Sequence, residues 1–107
     1  MIECMIFIET AAFTEDIKAV MPDEIYAGLQ QHLASYPDSG DTIQGTGGVR
    51  KIRWNVPGTG KRGGARVIYY WRVAEDQILM LLVYTKNKKD DLSAAQKKLL
   101  KKVVENW

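Results

Sequence analysis

From Thr42 to Ala74 the chain runs for 33 residues without a carboxylate, yet it carries seven bases: Arg50, Lys51, Arg53, Lys61, Arg62, Arg66 and Arg72. Val49-Arg-Lys-Ile-Arg-Trp-Asn-Val56 and Ala65-Arg-Val-Ile-Tyr-Tyr-Trp-Arg-Val73 within this stretch are rich in β-branched and aromatic residues, the composition of strands. Successive strand side chains point to opposite faces, so a sheet built from these segments gathers cations on a face. Surface solubility is best served by mixed signs. A block of one sign reads instead as a field directed at a polyanion. Its five arginines against two lysines suit bidentate phosphate recognition.

The rest of the chain shows how local that field is. Residues 1–41 hold eight acids against Lys18 alone, and residues 75–107 hold seven lysines and five acids, leaving the 107-residue chain at +2. This length and a composition 46% hydrophobic and 26% charged predict one globular domain. The longest apolar run, Ile78 to Tyr84, is far short of a membrane span and reads as a buried strand. With acids and no basic head near the N-terminus, the expected location is the cytoplasm. The single cysteine, Cys4, excludes an intramolecular disulfide and a Cys-rich zinc site, and its apolar setting predicts a small core residue.

Periodicity predicts the order β-α-α-β-β-β-α, an α+β layered domain with an antiparallel sheet whose last three strands form a meander. A first strand covers Cys4 to Ile8. Thr10 caps a helix reaching Met21, with Phe13, Ile17 and Val20 on its apolar stripe. Pro22 opens a second helix, Asp23 and Glu24 complement its dipole, and Ile25, Leu29 and Leu33 mark its buried side. Strands follow at Val49–Val56, Ala65–Val73 and Ile78–Tyr84, with a glycine-rich turn at residues 57–64. Ser93 and Gln96 stand in capping-box positions before a final helix with Leu99, Leu100, Val103, Val104 and Trp107 opposite Lys97, Lys98, Lys101 and Lys102.

Strand parity then sorts the cations. Ile52, Trp54 and Val56 belong against the helices, so Lys51 and Arg53 point away from them, while Arg50 reaches water at the strand mouth. Arg66, Ile68, Tyr70 and Arg72 share a side, as do Ile78, Met80, Leu82, Tyr84 and Lys86. Adjacent strands thus place Lys51, Arg53, Arg66, Tyr84 and Lys86 on one concave surface, overhung by Lys61 and Arg62. A slip of one residue reverses each assignment.

Several chemistries are excluded. One histidine, His32, cannot supply both acid and base for a paired-histidine nuclease, and mid-helix it reads as a half-buried or exposed side chain. Zinc spacings are missing, and a two-metal site needs acids where the basic block has none. Gly60-Lys61 is followed by Arg62 and a strand, so the glycine-rich turn is not a nucleotide P-loop. What the residues support is a metal-free, cofactor-free RNA or DNA phosphate site. If RNA is cleaved there, the 2′-hydroxyl attacks its neighbouring phosphate and cations stabilise the charge gathering on the phosphorane oxygens. Lys51, crowded by Arg50 and Arg53, is the candidate general base, and Tyr84 orients the phosphate or stacks on a base.

Gln44-Gly-Thr-Gly-Gly-Val-Arg-Lys-Ile-Arg53, Gly60-Lys-Arg-Gly-Gly-Ala-Arg-Val-Ile-Tyr-Tyr70 and Tyr84-Thr-Lys86 with Asp91-Leu92 resemble the RelE/HigB toxins of type II toxin–antitoxin systems, most of all the HigB branch. The resemblance covers nearly the whole chain. It implies a small sheet with flanking helices, ribosome-dependent cleavage of mRNA in the A site, and neutralisation by an antitoxin that often has a helix-turn-helix DNA-binding domain. It implies that Lys51, Arg53, Arg66 and Lys86, with Tyr84, form the catalytic group. Arg50, Lys61, Arg62, Arg72, Lys88 and Lys89 complete the expected surface for RNA and ribosome. Two positions depart from the family pattern: Asn87 stands where arginine is frequent, and Trp107 is the only aromatic residue after Tyr84, where a tyrosine is often found. A ParE-like gyrase toxin of the same fold and a non-catalytic RNA-binding module are the alternatives.

Overall fold

Polar caps set the first and last helices where the apolar spacing predicts them. The computed structural model describes residues 4–58, 64–85 and 91–107. Its elements are β1 (Ile6–Glu9), α1 (Ala11–Val20), α2 (Asp23–Ser35), β2 (Asp41–Thr42), β3 (Arg50–Trp54), β4 (Ala65–Arg72), β5 (Gln77–Thr85) and α3 (Ala94–Glu105), with a 3-10 turn at Val73–Glu75. The Thr10 hydroxyl accepts from the Phe13 amide at 3.1 Å and starts α1. In α3 the capping box is complete, with Gln96 N donating to Ser93 Oγ at 3.1 Å and Ser93 N to Gln96 Oε1 at 2.9 Å.

The sheet order is β1-β5-β4-β3-β2. β3, β4 and β5 form the expected antiparallel meander. Two features join it. Asp41–Thr42 adds a short antiparallel edge, and β1 lies parallel to β5. β1 can run parallel because the chain passes through two helices and three strands before β5 returns beside it, with no tight hairpin to force reversal. The α+β architecture therefore has a mixed sheet.

Each face of the sheet is covered. Phe13, Ile17, Met21, Leu29 and Leu33 of the helical pair pack on Ile52, Val56, Ala65, Val67, Tyr69, Ile78, Met80 and Val83. On the opposite face Leu100 and Val104 of α3, with Leu92, pack on Val49, Ile68, Leu79 and Leu81. Burying each such large aliphatic or aromatic side chain contributes roughly 1.5–3 kcal/mol, so both layers are needed to hold so small a domain. The loop between α2 and β2 is fastened by Tyr69, whose hydroxyl donates to Pro37 O at 2.8 Å and accepts from Gly40 N at 2.9 Å. Gly40 has no room for a side chain, since a Cβ there would stand 2.8 Å from that hydroxyl.

Two expectations are corrected. Cys4 is exposed, because β1 starts only at Ile6 and the cysteine precedes the sheet. The parity assigned to β5 also fails midway. Ile68 pairs with Leu82 but Tyr69 pairs with Met80, so Leu81 is an extra residue in the ladder, a β-bulge. Ile78 and Met80 consequently face the helical pair, while Leu82 and Tyr84 face α3.

Candidate functional site

The face that carries α3 also carries a row of polar side chains just beyond the helix. In β3 and β4, Arg53 pairs directly with Arg66, and across the next ladder Arg66 pairs directly with Tyr84. Residues opposite one another in antiparallel strands hold their Cβ atoms about 4.5–5.5 Å apart on one face. Lys51 pairs with Ile68 one step along, so it lies diagonal to Arg66 on the same face. Two arginines set opposite each other repel, an arrangement that weakens a sheet unless an anion comes between them.

Burial sharpens the arrangement. Arg66 is 9% exposed, the most buried charged side chain among the described residues. No described carboxylate lies within ion-pair distance of its guanidinium. Arg53, by contrast, is exposed, and Lys51 and Tyr84 are half-buried. The turn into β4 is held close by Gly64, where φ is +101° and a Cβ would stand 2.8 Å from the Trp54 carbonyl, so a glycine is required two residues before Arg66.

An acid that the sequence reading left outside the site completes the group. Asp91, just before α3, holds its carboxylate 3.8 Å from Lys51 Nζ. A hydrogen bond from the Leu92 amide and then the charge of Lys51 hold that carboxyl below its ordinary value; burial opposes them, and Lys97 adds a lesser pull in the same downward direction. The phenol of Tyr84 moves the other way. Burial and then the Asp91 charge push it above its ordinary value, with Arg66 pulling against them. Tyr84 therefore keeps its proton at neutral pH. Sequence distance hid the meeting of Asp91 with Lys51; its signals were its place two residues before the Ser93 cap and the Asp91-Leu92 pair among the family-like segments.

The structure thus brings Lys51, Arg53, Arg66 and Tyr84 together. It does not bring Arg50 or Arg72 to them. Arg50 lies half-buried on the opposite side of β3, where Nη1 donates to Asp38 O at 3.0 Å and to Gly40 O at 2.8 Å, so it braces a loop. Arg72 is six residues from Arg66, at the far end of β4, with its guanidinium carbon 5.2 Å from the Trp107 ring centroid. Lys61, Arg62, Lys86, Lys88 and Lys89 lie outside the described residues. His32 packs between Tyr36 and Trp54 in tilted contacts, at 5.4 and 5.2 Å between ring centroids, on the helical-pair side of the sheet. Among the described residues, no three His, Cys, Asp or Glu side chains gather in a way that would hold a metal ion.

Fold and site together define a small α+β domain with a recessed cationic row on one end of its sheet. Residues 39–107 match the sequence model of the RelE toxin of the RelE/RelB toxin–antitoxin system. The chain belongs to the RelE toxin family, and that family implies a cognate antitoxin as its partner. The matched region runs from just before β2 through α3 and contains all four clustered residues and Asp91. No helix among the described residues is long and apolar enough to cross a membrane.

Proposed function

We propose that this chain, acting as one domain in the cytoplasm, arrests translation by cutting mRNA in the ribosomal A site, without a metal or cofactor. The observation that carries this reading is the cross-strand row Arg53–Arg66–Tyr84, with Lys51 beside it. A phosphodiester seated there would draw the two guanidiniums onto its non-bridging oxygens and relieve their mutual repulsion. The ribose 2′-hydroxyl attacks the adjacent phosphorus, the bond from phosphorus to the 5′-oxygen breaks, and the products are a 2′,3′-cyclic phosphate and a 5′-hydroxyl. Arg66 and Arg53 stabilise the phosphorane charge. In its uncharged form Lys51 accepts the 2′-hydroxyl proton, water protonates the departing 5′-oxygen, and neutral Tyr84 donates a hydrogen bond to a phosphate oxygen. Lys86, Lys61, Arg62, Lys88 and Lys89 extend the grip on RNA and ribosome in this reading. The antitoxin, an HTH protein as in HigB-type pairs, then acts by keeping the cationic face off the ribosome.

Primer extension on mRNA, with purified protein and with or without programmed ribosomes, tests the proposal. The expected result is cuts within A-site codons that need ribosomes and vanish in Arg66→Ala. Intact mRNA in both conditions overturns it, and a DNA-damage response on expression would then favour a gyrase target.

A further inference from the structure

Tyr84 reaches the arginine row only because of the bulge at Leu81. Were the β4–β5 ladder to continue in the register of Tyr69 with Met80, Val83 would stand opposite Arg66 and Tyr84 opposite Ala65. Tyr84 would then enter the apolar layer under α1 and α2, the layer that Ala65 and Met80 already join. What holds the extra residue in place is visible at the end of β1. The Thr10 amide donates to Met80 O at 3.0 Å, which closes the β1–β5 ladder. The Thr10 hydroxyl then donates to Leu81 O at 2.8 Å, satisfying the carbonyl of the bulged residue itself. Thr10 Oγ1 also accepts from the Phe13 amide, so one hydroxyl joins the α1 cap to the bulge. A bulge leaves backbone groups outside the ladder, and a side-chain partner is what makes one register preferable to the other.

We infer that Thr10 is a positioning residue for the proposed cleavage: its hydroxyl pins the Leu81 bulge and so fixes Tyr84 on the Arg66 face. The inference rests on the reading of Tyr84 as part of the site, but the placement it describes is measurable without any RNA.

Three variants separate the two jobs of the hydroxyl. Thr10→Asp keeps a good N-cap acceptor but, being ionised, has no proton for Leu81 O and repels it. Thr10→Ser restores both bonds. Thr10→Ala removes both, and reports on the bulge should the aspartate variant fold poorly. NMR of the free protein would follow contacts between the Tyr84 ring and the Arg66 side chain, alongside thermal unfolding. The expected result is that Thr10→Asp melts like the wild type yet loses the Tyr84–Arg66 contacts, that Thr10→Ala loses them too, and that Thr10→Ser keeps them. In the ribosome assay the aspartate variant lowers the cleavage rate by about 100-fold with KM little changed, the signature of a misplaced group. Intact Tyr84–Arg66 contacts in both Thr10→Asp and Thr10→Ala overturn the inference. Failure of the wild type to cut mRNA would instead overturn the functional reading, leaving the NMR result to decide the role of Thr10.

Discussion

Arg66 joins two properties that stability alone disfavours: it is 9% exposed and it faces Arg53 across the ladder. A buried cation with no carboxylate paired to it among the described residues loses hydration that nothing described restores, and the opposed arginine adds repulsion. Arg66→Met should therefore raise stability by about 1 kcal/mol in urea unfolding while abolishing ribosome-dependent cleavage. A loss of stability would show that the guanidinium is part of the fold. Arg50 is the contrasting case. It belongs to the same acid-free block, but its two bonds to backbone carbonyls make it a brace for the loop after α2. Composition does not separate these two arginines; only their opposite sides of the sheet do.

At the scale of elements, caps and apolar spacing were legible and the ladder was not. Thr10, Ser93 and Gln96 act as the caps their sequence positions predict, since capping is a local matter of a side chain and an amide three residues away. Ser93→Ala should cost about 1 kcal/mol, read as a lower thermal midpoint with the site intact, because it removes only the acceptor for Gln96 N. The bulge in β5 carries no comparable local mark. Ile78-Leu-Met-Leu-Leu-Val-Tyr84 is apolar throughout, so alternation has nothing to alternate, and a one-residue insertion leaves the pattern unchanged. Tyr84 was placed beside Arg66 by a parity that also put Ile78 and Met80 there, and the structure keeps the first and reverses the second.

Over the whole molecule, charge and burial set how stability responds to pH. Tyr26, Tyr69 and Tyr84 are all raised above the ordinary value of 10.0, each chiefly by burial. A raised phenol favours the folded state as long as both states hold the proton. That advantage is complete below about pH 10, where unfolded tyrosine begins to ionise, and is lost as pH climbs through the folded values. Urea unfolding across this range should show stability falling steadily above pH 10. A flat profile would mean that the phenols are as hydrated as in the unfolded chain. Asp91 acts at the acid end with the opposite sign: its lowered carboxyl helps the fold above the ordinary value of 3.8, and the help fades as pH falls through the folded value.

By itself the sequence determined the element types, the caps, the layered α+β class and the acid-free cationic segment, because each depends on neighbours a few residues apart or on composition. It also singled out Lys51, Arg53 and Arg66, whose strands alternate plainly enough to read. Only the tertiary structure decided the parallel pairing of β1, the bulge that turns Tyr84 toward the arginines, the arrival of Asp91 at Lys51, and the diversion of Arg50 and Arg72 to other partners. Those outcomes depend on which strand edges and faces meet, and hydrogen-bond register is a property of two segments together that neither encodes alone.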